Sequence, residues 1–204
     1  MTAINRSAPR ALLALLLSLV VTGAAVAVAA PAQADRWTYD DAAGDVTTQA
    51  VTDTSITVTP LPEQANGDIV QVTGTHKARK VSITMRMRAP LTGPFMISAM
   101  LRVPGKRFMV MSPKMPGFSS TELMELSMDE DASRCRGIKR TVGADRLSVR
   151  IAVPRSCLGN PRWFKFGAVL TTVALFTDAS YDDDALATGM SLYGNATMSP
   201  KIKR

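Results

Sequence analysis

The sequence has little of what most catalytic and metal sites are built from. Its 204 residues include two cysteines, Cys135 and Cys157, and one histidine, His76. An ordinary zinc site needs three or four nitrogen, sulfur or carboxylate ligands. Two cysteines and a single histidine cannot build such a site. No G-x-S-x-G motif occurs, so the sequence has no serine-hydrolase nucleophile elbow. We therefore expect a protein that is not an enzyme.

The first 34 residues have the pattern of an export signal. Arg6 and Arg10 precede an apolar run over residues 11–30, and Ala32-Gln33-Ala34 follows as an A-x-A cleavage site. The alternative is a retained membrane anchor, because about twenty apolar residues can span a bilayer. We favour a signal peptide over residues 1–34, cleaved after Ala34. We expect a secreted domain over residues 35–204, with loose ends at both termini and no membrane span after cleavage.

The charge of the chain is modestly basic. Without the signal peptide, which carries two arginines and no acidic residue, 22 basic and 17 acidic residues leave a net charge of +5. This charge is spread along the chain, unlike the dense basic stripe of a nucleic-acid-binding protein. It favours weak attraction to anionic surfaces such as cell-wall polymers, and we expect no nucleic-acid partner.

The two cysteines predict one disulfide. An even number of cysteines in an oxidising compartment indicates a bridge between Cys135 and Cys157. A hairpin with Gly143-Ala144 as a two-residue loop would pair Val142 with Asp145 and place Cys135 opposite Ala152. Cys157 would then lie five residues beyond that rung, so the chain would have to turn back after residue 153 to close the bridge.

Alternation of apolar and polar residues predicts a β fold. The pattern is clear over residues 81–87 and 95–103, which we expect to form a hairpin, and again over residues 147–153. Residues 163–176 are the most apolar stretch and predict a central strand. Residues 119–128 fit either a short helix or a strand. The whole pattern predicts an all-β protein, an antiparallel β-sandwich of jelly-roll or immunoglobulin-like layout with at most one short helix.

Two acidic groups lie near opposite ends of the domain, at residues 40–45 and 182–184. Turn oxygens and carboxylates are the ligands that Ca²⁺ prefers, and the two ends of a sandwich often meet. The sequence therefore offers Asp41, Asp45 and Asp183 as candidate calcium ligands. The alternative is that these aspartates only make good turns, and we expect that no cofactor is required.

Methionines and aromatic residues allow further alternatives. Met85, Met87, Met109 and Met111 are core fillers or, less conventionally, thioether ligands for Cu(I). Four aromatic residues are core anchors or platforms on which a sugar ring stacks. They are Trp37, Tyr39, Trp163 and Tyr181.

Several motifs carry a resemblance to other proteins. They are D-x-x-G-D from Asp41 to Asp45, the Cys135-x-Gly137 strand, the block V-P-R-S-C-L-G-N-P-R-W from Val153 to Trp163, and Tyr181 to Ala185. Together they resemble a group of uncharacterised small secreted proteins of high-GC Gram-positive bacteria, which brings no assigned activity. The order of elements is similar to β-sandwiches of the family 9 carbohydrate-binding module and DOMON type, which implies sugar or haem binding. The single histidine, at a strand end, does not support haem.

These observations favour a secreted, non-catalytic sandwich that binds cell-wall glycan or another extracellular ligand, including a protein, on one sheet face. One alternative is a structural or protein-interaction domain, with or without stabilisation by Ca²⁺. Another is an extracellular enzyme of unrecognised type. The sequence identifies neither the ligand-binding residues nor the oligomeric state.

Overall fold

The computed structural model describes residues 35–51, 54–126, 135–174, 179–189 and 197–204. The predicted signal peptide and its cleavage site lie outside these ranges. The described residues form fourteen strands and one 3₁₀ helix, Arg155–Leu158. The strands are β1 Asp35–Asp40, β2 Thr47–Val51, β3 Ile56–Pro60, β4 Ile69–His76, β5 Lys80–Met87, β6 Phe95–Val103, β7 Lys106–Met115, β8 Phe118–Ser119, β9 Glu122–Glu125, β10 Lys139–Val142, β11 Ser148–Pro154, β12 Trp163–Ala174, β13 Ala179–Asp184 and β14 Ile202–Lys203.

The strands make two antiparallel sheets packed face to face, which confirms the predicted β-sandwich. The five-stranded sheet has the order β1-β4-β5-β11-β10. The nine-stranded sheet has the order β3-β2-β13-β12-β6-β7-β8, with β14 paired to β12 and β9 paired to β7. The apolar strand β12 lies between β13 and β6, so its predicted central place is also confirmed.

Period-two alternation explains how the core forms. Val81, Ile83 and Met85 of β5 are buried, whereas Arg86 between the apolar positions is exposed. The nine-stranded sheet contributes inward residues of the same kind, such as Phe166 of β12. Because each strand buries every second side chain, one hydrophobic core fills the space between the two sheets.

The predicted hairpin between residues 81–87 and 95–103 is wrong. Strand β5 pairs with β4 and β11, while β6 pairs with β7 and β12. The connection crosses from one sheet to the other, and Leu91 within it is completely buried. Alternation defines a strand and its buried face, but it does not identify the partner strand.

The predicted register of the hairpin β10–β11 is also wrong. Val142 pairs with Val149 rather than with Asp145, and Lys139 rather than Cys135 lies opposite Ala152. The loop is longer because Asp145 Oδ1 accepts a hydrogen bond from the Leu147 amide at 3.0 Å, an Asx turn. Arg146 also adopts a left-handed conformation with φ of 60°.

The disulfide joins Cys135 to Cys157, as predicted. Their Cα atoms lie 5.5 Å apart. After β11 the chain turns back through the 3₁₀ helix, whose C-cap Gly159 is left-handed. The bridge therefore ties the turn after β11 to the segment that precedes β10.

The structure decides two further expectations, which concern residues 119–128 and the two termini. Residues 122–125 form a strand paired with β7 rather than a helix, while residues 127 and 128 lie outside the described ranges. The ends expected to be loose are instead paired, because β1 joins β4 and Ile202 of β14 is buried beside β12. Among the described residues no helix is long and apolar enough to cross a membrane.

Candidate functional site

Five aspartates from three segments meet at one end of the sandwich. Asp41 and Asp45 lie in the turn between β1 and β2, and Asp68 lies just before β4. Asp183 and Asp184 end β13. Asp45, Asp68 and Asp183 each place one carboxylate oxygen so that the three oxygens lie within 4.8 Å of one another. The structure thus joins two of the predicted calcium ligands, Asp45 and Asp183, with a third that the sequence did not single out.

The predicted ligand Asp41 and the unpredicted Asp184 belong to the same electrostatic cluster. The charges of Asp45, Asp184 and Asp68 act on Asp41, and the charge of Asp45 acts on Asp184. We call these five residues, Asp41, Asp45, Asp68, Asp183 and Asp184, the carboxylate cluster.

Four of the five side chains of the cluster are buried, and Asp41 is half-buried. Asp68, Asp183 and Asp184 are 0% exposed and Asp45 is 8% exposed. Burial is the largest cause that raises the pKa of Asp183 to about 8, with smaller contributions from neighbouring carboxylates. Burial likewise raises the pKa of Asp41 to about 7 and that of Asp184 to about 6. The surroundings thus disfavour several adjacent negative charges.

Backbone amides hold one oxygen of each carboxylate. Each of the five accepts a hydrogen bond from a main-chain N–H through one oxygen only. The donors are Ala42 to Asp41 Oδ1 at 3.1 Å, Gly189 to Asp45 Oδ2 at 3.2 Å, Gly44 to Asp68 Oδ2 at 2.8 Å, Ile69 to Asp183 Oδ2 at 2.5 Å, and Leu186 to Asp184 Oδ1 at 3.1 Å.

The second oxygen of each carboxylate is buried and has no hydrogen-bond partner within the described part of the chain. These atoms are Asp41 Oδ2, Asp45 Oδ1, Asp68 Oδ1, Asp183 Oδ1 and Asp184 Oδ2. Arg88 forms an ion pair with Asp68, but through Oδ2, which Nε approaches at 2.9 Å. The cation therefore satisfies an oxygen that an amide already contacts.

The sequence indicates that Asp68 lies in a turn, but it does not indicate that this turn adjoins the other aspartates. The run Asn66-Gly67-Asp68 indicates a turn, and turn chemistry alone explains an aspartate there. The missing information was that β4, which Asp68 precedes, pairs with β1, so that the loop before β4 adjoins the turn after β1. Asp184 belongs to the predicted acidic group at residues 182–184, but only Asp183 of that group was predicted as a calcium ligand.

A groove on the outer face of the five-stranded sheet is a second candidate site. Its volume is about 450 Å³. Its floor is the outward side of β4, β5 and β11, where short polar side chains such as Thr84 lie beside longer ones such as Arg86 and Arg150. The lining residues are Arg36, Gln71, Thr73, Thr75, Lys77, Ser82, Thr84, Arg86, Asp145, Leu147, Ser148 and Arg150.

The groove is basic and rich in hydroxyl groups. Four of its lining side chains are cationic, and Asp145 alone is acidic. Arg150 donates a hydrogen bond from Nη2 to Ser82 Oγ at 3.0 Å, so its guanidinium is held against the floor. Within the described residues, Nε of Arg150 is buried and has no hydrogen-bond partner. This arrangement can accept an anionic, hydroxyl-rich ligand.

The candidate aromatic platforms do not line this groove. Trp37 faces the core, where it meets the Phe166 ring edge-on with centroids 5.9 Å apart. Tyr39 stacks on Trp37, and Lys201 lies 4.7 Å above the ring of Trp163. Tyr181 lines a different, smaller pocket beside Leu61 and Pro62. A ligand of the groove would therefore be held by polar groups rather than by stacking.

The candidate thioether ligands are divided between the two sheets. Met85 and Met87 of β5 are core residues, exposed by 0% and 2%. Met109 and Met111 of β7 are half-buried on the outer face of the other sheet. The two pairs do not form one soft-metal site, and the first pair fills the core as the alternative expectation held.

The fold and these two sites define a class: a disulfide-bridged antiparallel β-sandwich with a buried carboxylate cluster and a basic groove on one sheet. Comparison with known proteins finds no matching protein-family model, no matching curated protein and no matching solved structure.

Proposed function

We propose that this chain is an exported, non-catalytic module that binds an anionic cell-wall glycan in the groove of the five-stranded sheet. The observation that carries the proposal is the composition of the groove, in which Arg36, Lys77, Arg86 and Arg150 surround a floor of threonine and serine hydroxyls. A disulfide is consistent with an oxidising exterior, and the predicted signal peptide agrees with it.

The charge balance of the groove favours an anionic ligand over a neutral one. Four cations with one carboxylate would attract a polymer that carries carboxylate or phosphate groups. Guanidinium groups bind such groups through paired hydrogen bonds, and hydroxyl side chains suit the hydroxyls of a sugar. The lack of an aromatic side chain among the lining residues argues against a neutral glycan held by stacking.

The carboxylate cluster does not favour the enzyme alternative. A glycosidase uses two carboxylates on either side of a bound sugar, separated by about 5 Å or more across an open cleft. Here Asp68, Asp183 and Asp184 are completely buried, so a sugar chain has no access to them. The groove itself holds a single carboxylate, Asp145.

Binding of defined polymers to the purified exported protein tests the proposal. We expect retention on a polyglycerol-phosphate wall polymer or on a uronic-acid polysaccharide, with affinity that falls as salt rises. A neutral glucan serves as the uncharged comparison. Single-stranded DNA serves as a polyanion whose sugars have almost no free hydroxyl groups. Equal binding to DNA and to the two anionic wall polymers would contradict the proposal. A protein that binds neither of the two wall polymers would also contradict it.

A pair of matched double variants locates the binding surface. Arg86→Gln with Arg150→Gln removes two positive charges from the groove. Arg102→Gln with Lys165→Gln removes the same charge from paired positions of β6 and β12 in the other sheet. We expect at least a tenfold loss of affinity for the first variant and less than a threefold loss for the second. Equal losses would show that net charge, not the groove, attracts the polymer.

A further inference from the structure

The carboxylate cluster has the organisation of a prepared cation site. In each of its five members one oxygen is held by a main-chain amide, and the other is buried without a hydrogen-bond partner among the described residues. An acidic cluster on a surface would turn its oxygens to water. Three of these side chains are instead completely buried, and an unsatisfied buried carboxylate oxygen is costly.

Neighbouring cations do not account for the cluster. In the described part of the chain its one ion pair is that of Arg88 with Asp68 Oδ2. Five carboxyl groups beside one guanidinium would, if all were ionised, carry a large excess of negative charge in a buried volume. A bound divalent cation would reduce this excess and would give the converging carboxylates of Asp45, Asp68 and Asp183 a common partner.

We propose that the cluster binds Ca²⁺, with Asp45, Asp68 and Asp183 as the central ligands and with Asp41 and Asp184 completing the negative site. This inference is independent of the glycan-binding proposal, because the groove and the cluster share no residue.

The donor set selects the kind of metal. All the available donors are carboxylate oxygens, which suit hard cations, whereas Zn²⁺ and Cu⁺ prefer nitrogen or sulfur. Ca²⁺ binds six to eight oxygens at about 2.3–2.6 Å, so two ligands on opposite sides of the ion lie roughly 5 Å apart. The oxygens of Asp45, Asp68 and Asp183 lie within 4.8 Å of one another, which fits this span. Mg²⁺ usually keeps several waters, and a site crowded with carboxylates favours the larger ion.

The position of the cluster indicates what the ion would do. Asp68 lies just before β4 of the five-stranded sheet, and Asp183 belongs to β13 of the nine-stranded sheet. Asp45 lies in the turn that connects β1 of the first sheet to β2 of the second. A shared ion would tie the turn after β1, the entrance to β4 and the end of β13 together. Ca²⁺ would thus fasten the two sheets at one end of the sandwich and would stabilise the folded state.

Calorimetry and thermal unfolding of the chelator-treated, full exported protein test this inference. We expect Ca²⁺, added without any other ligand, to bind to the protein. At a concentration about a hundred times its dissociation constant, it should raise the melting temperature by about 5–10 °C. Mg²⁺ at the same concentration should produce a smaller shift, and K⁺ of equal ionic strength none. The proposal is overturned if Ca²⁺ leaves the melting temperature unchanged or if K⁺ reproduces the shift.

Asparagine variants assign the site. Asp183→Asn keeps an acceptor for the Ile69 amide but replaces the carboxylate ligand by a neutral amide, and we expect its Ca²⁺ affinity to fall at least tenfold. The matched control is Asp182→Asn, the adjacent buried residue of β13, whose carboxylate instead accepts hydrogen bonds from Thr171 and Gln49. It should retain the calcium response. If Asp183→Asn does not fold, Asp45→Asn provides the same measurement, because Asp45 is the least buried of the three central ligands.

One readout distinguishes a metal site from a purely structural group of aspartates. Without calcium, Asp45→Asn and Asp183→Asn should melt at least as high as the wild-type protein, because a neutral amide replaces a buried carboxyl group whose charged form the surroundings disfavour. With calcium both variants should melt lower than the wild type. If the variants melt lower than the wild type in both conditions, and by the same number of degrees, the aspartates stabilise the fold without an ion. Glycan binding is measured on the same variants, so that the proposal for the groove is tested separately from the proposal for the cluster.

Discussion

Gly74 of β4 lies directly against the ring of Phe166 of β12 across the core. A methyl group on residue 74 would lie 2.5 Å from Cε1 of that ring and 2.4 Å from Cδ1 of Ile202. Real side chains do not approach so closely, and all three residues belong to strands. The two sheets therefore approach each other at this point because residue 74 has no side chain.

Gly74→Ala should destabilise the protein by about 1–3 kcal/mol, the usual cost of an added carbon in a filled core. Urea unfolding at a fixed calcium concentration measures the change in the free energy of unfolding. A double-mutant cycle provides the control, since Phe166→Leu shortens the side chain that the new methyl group meets. Gly74→Ala should cost less in the Phe166→Leu background than in the wild type. Equal costs in both backgrounds would show that the ring of Phe166 is not the obstacle.

The sequence alone indicated the strands better than their partners. Alternation located β5, β6 and β11 because each buries every second side chain against one core. It could not assign β5 and β6 to different sheets, since the pattern of either strand is the same for any partner. That assignment depends on the whole set of strand pairs, including β4 with β5 and β6 with β12.

The candidate site shows the same limit. Asp45 and Asp183 were chosen because acidic runs near the two ends of a sandwich can meet, and the structure brings them together. Asp68 was missed because its neighbours already explain it as a turn residue. The basic groove was not foreseen either, because its cations come from separate strands and are neighbours only after the sheet forms.

Removal of the disulfide should destabilise the fold without changing its topology. The bridge closes a loop between residues separated by 22 positions, for which the chain-entropy model gives about 3 kcal/mol. Cys135→Ser with Cys157→Ser should lower the free energy of unfolding by about that amount in urea. Dithiothreitol should lower the stability of the wild type similarly and leave the double variant unaffected. A stable wild type under full reduction would contradict the prediction.

Export should remove the first 34 residues. The A-x-A motif ends at Ala34, and β1 begins at Asp35 and pairs from there with His76. Expressed with its own leader in a Gram-positive host, the protein should be recovered from the medium with Asp35 as its first residue, by N-terminal sequencing and intact mass. Ala34→Leu should block cleavage, whereas Gln33→Glu, which leaves both small residues in place, should not. Recovery of the full-length chain from membranes would instead indicate a retained anchor.

Arg140 should stabilise the contact between the two sheets. Lys114, which approaches the same aromatic ring, provides the matched comparison. It lies on β10, at the edge of the five-stranded sheet, and donates from Nη1 to the Ser112 carbonyl at 2.9 Å and to the Pro113 carbonyl at 2.7 Å. The guanidinium also lies 5.3 Å from the centre of the Phe95 ring. Lys114 approaches the same ring at 5.8 Å but is exposed.

Arg140→Met should therefore cost about 1–3 kcal/mol, because it leaves the two carbonyls of β7 without their charged donor. Arg140→Lys should recover only part of the loss, since an ammonium group lacks the planar fork that reaches several acceptors at once. Lys114→Met should change the stability by no more than about 0.5 kcal/mol. Urea unfolding of the three variants compares them directly. If Arg140→Met and Lys114→Met lose the same stability, the effect belongs to the shared Phe95 ring, and the hydrogen bonds to β7 contribute little to holding the sheets together.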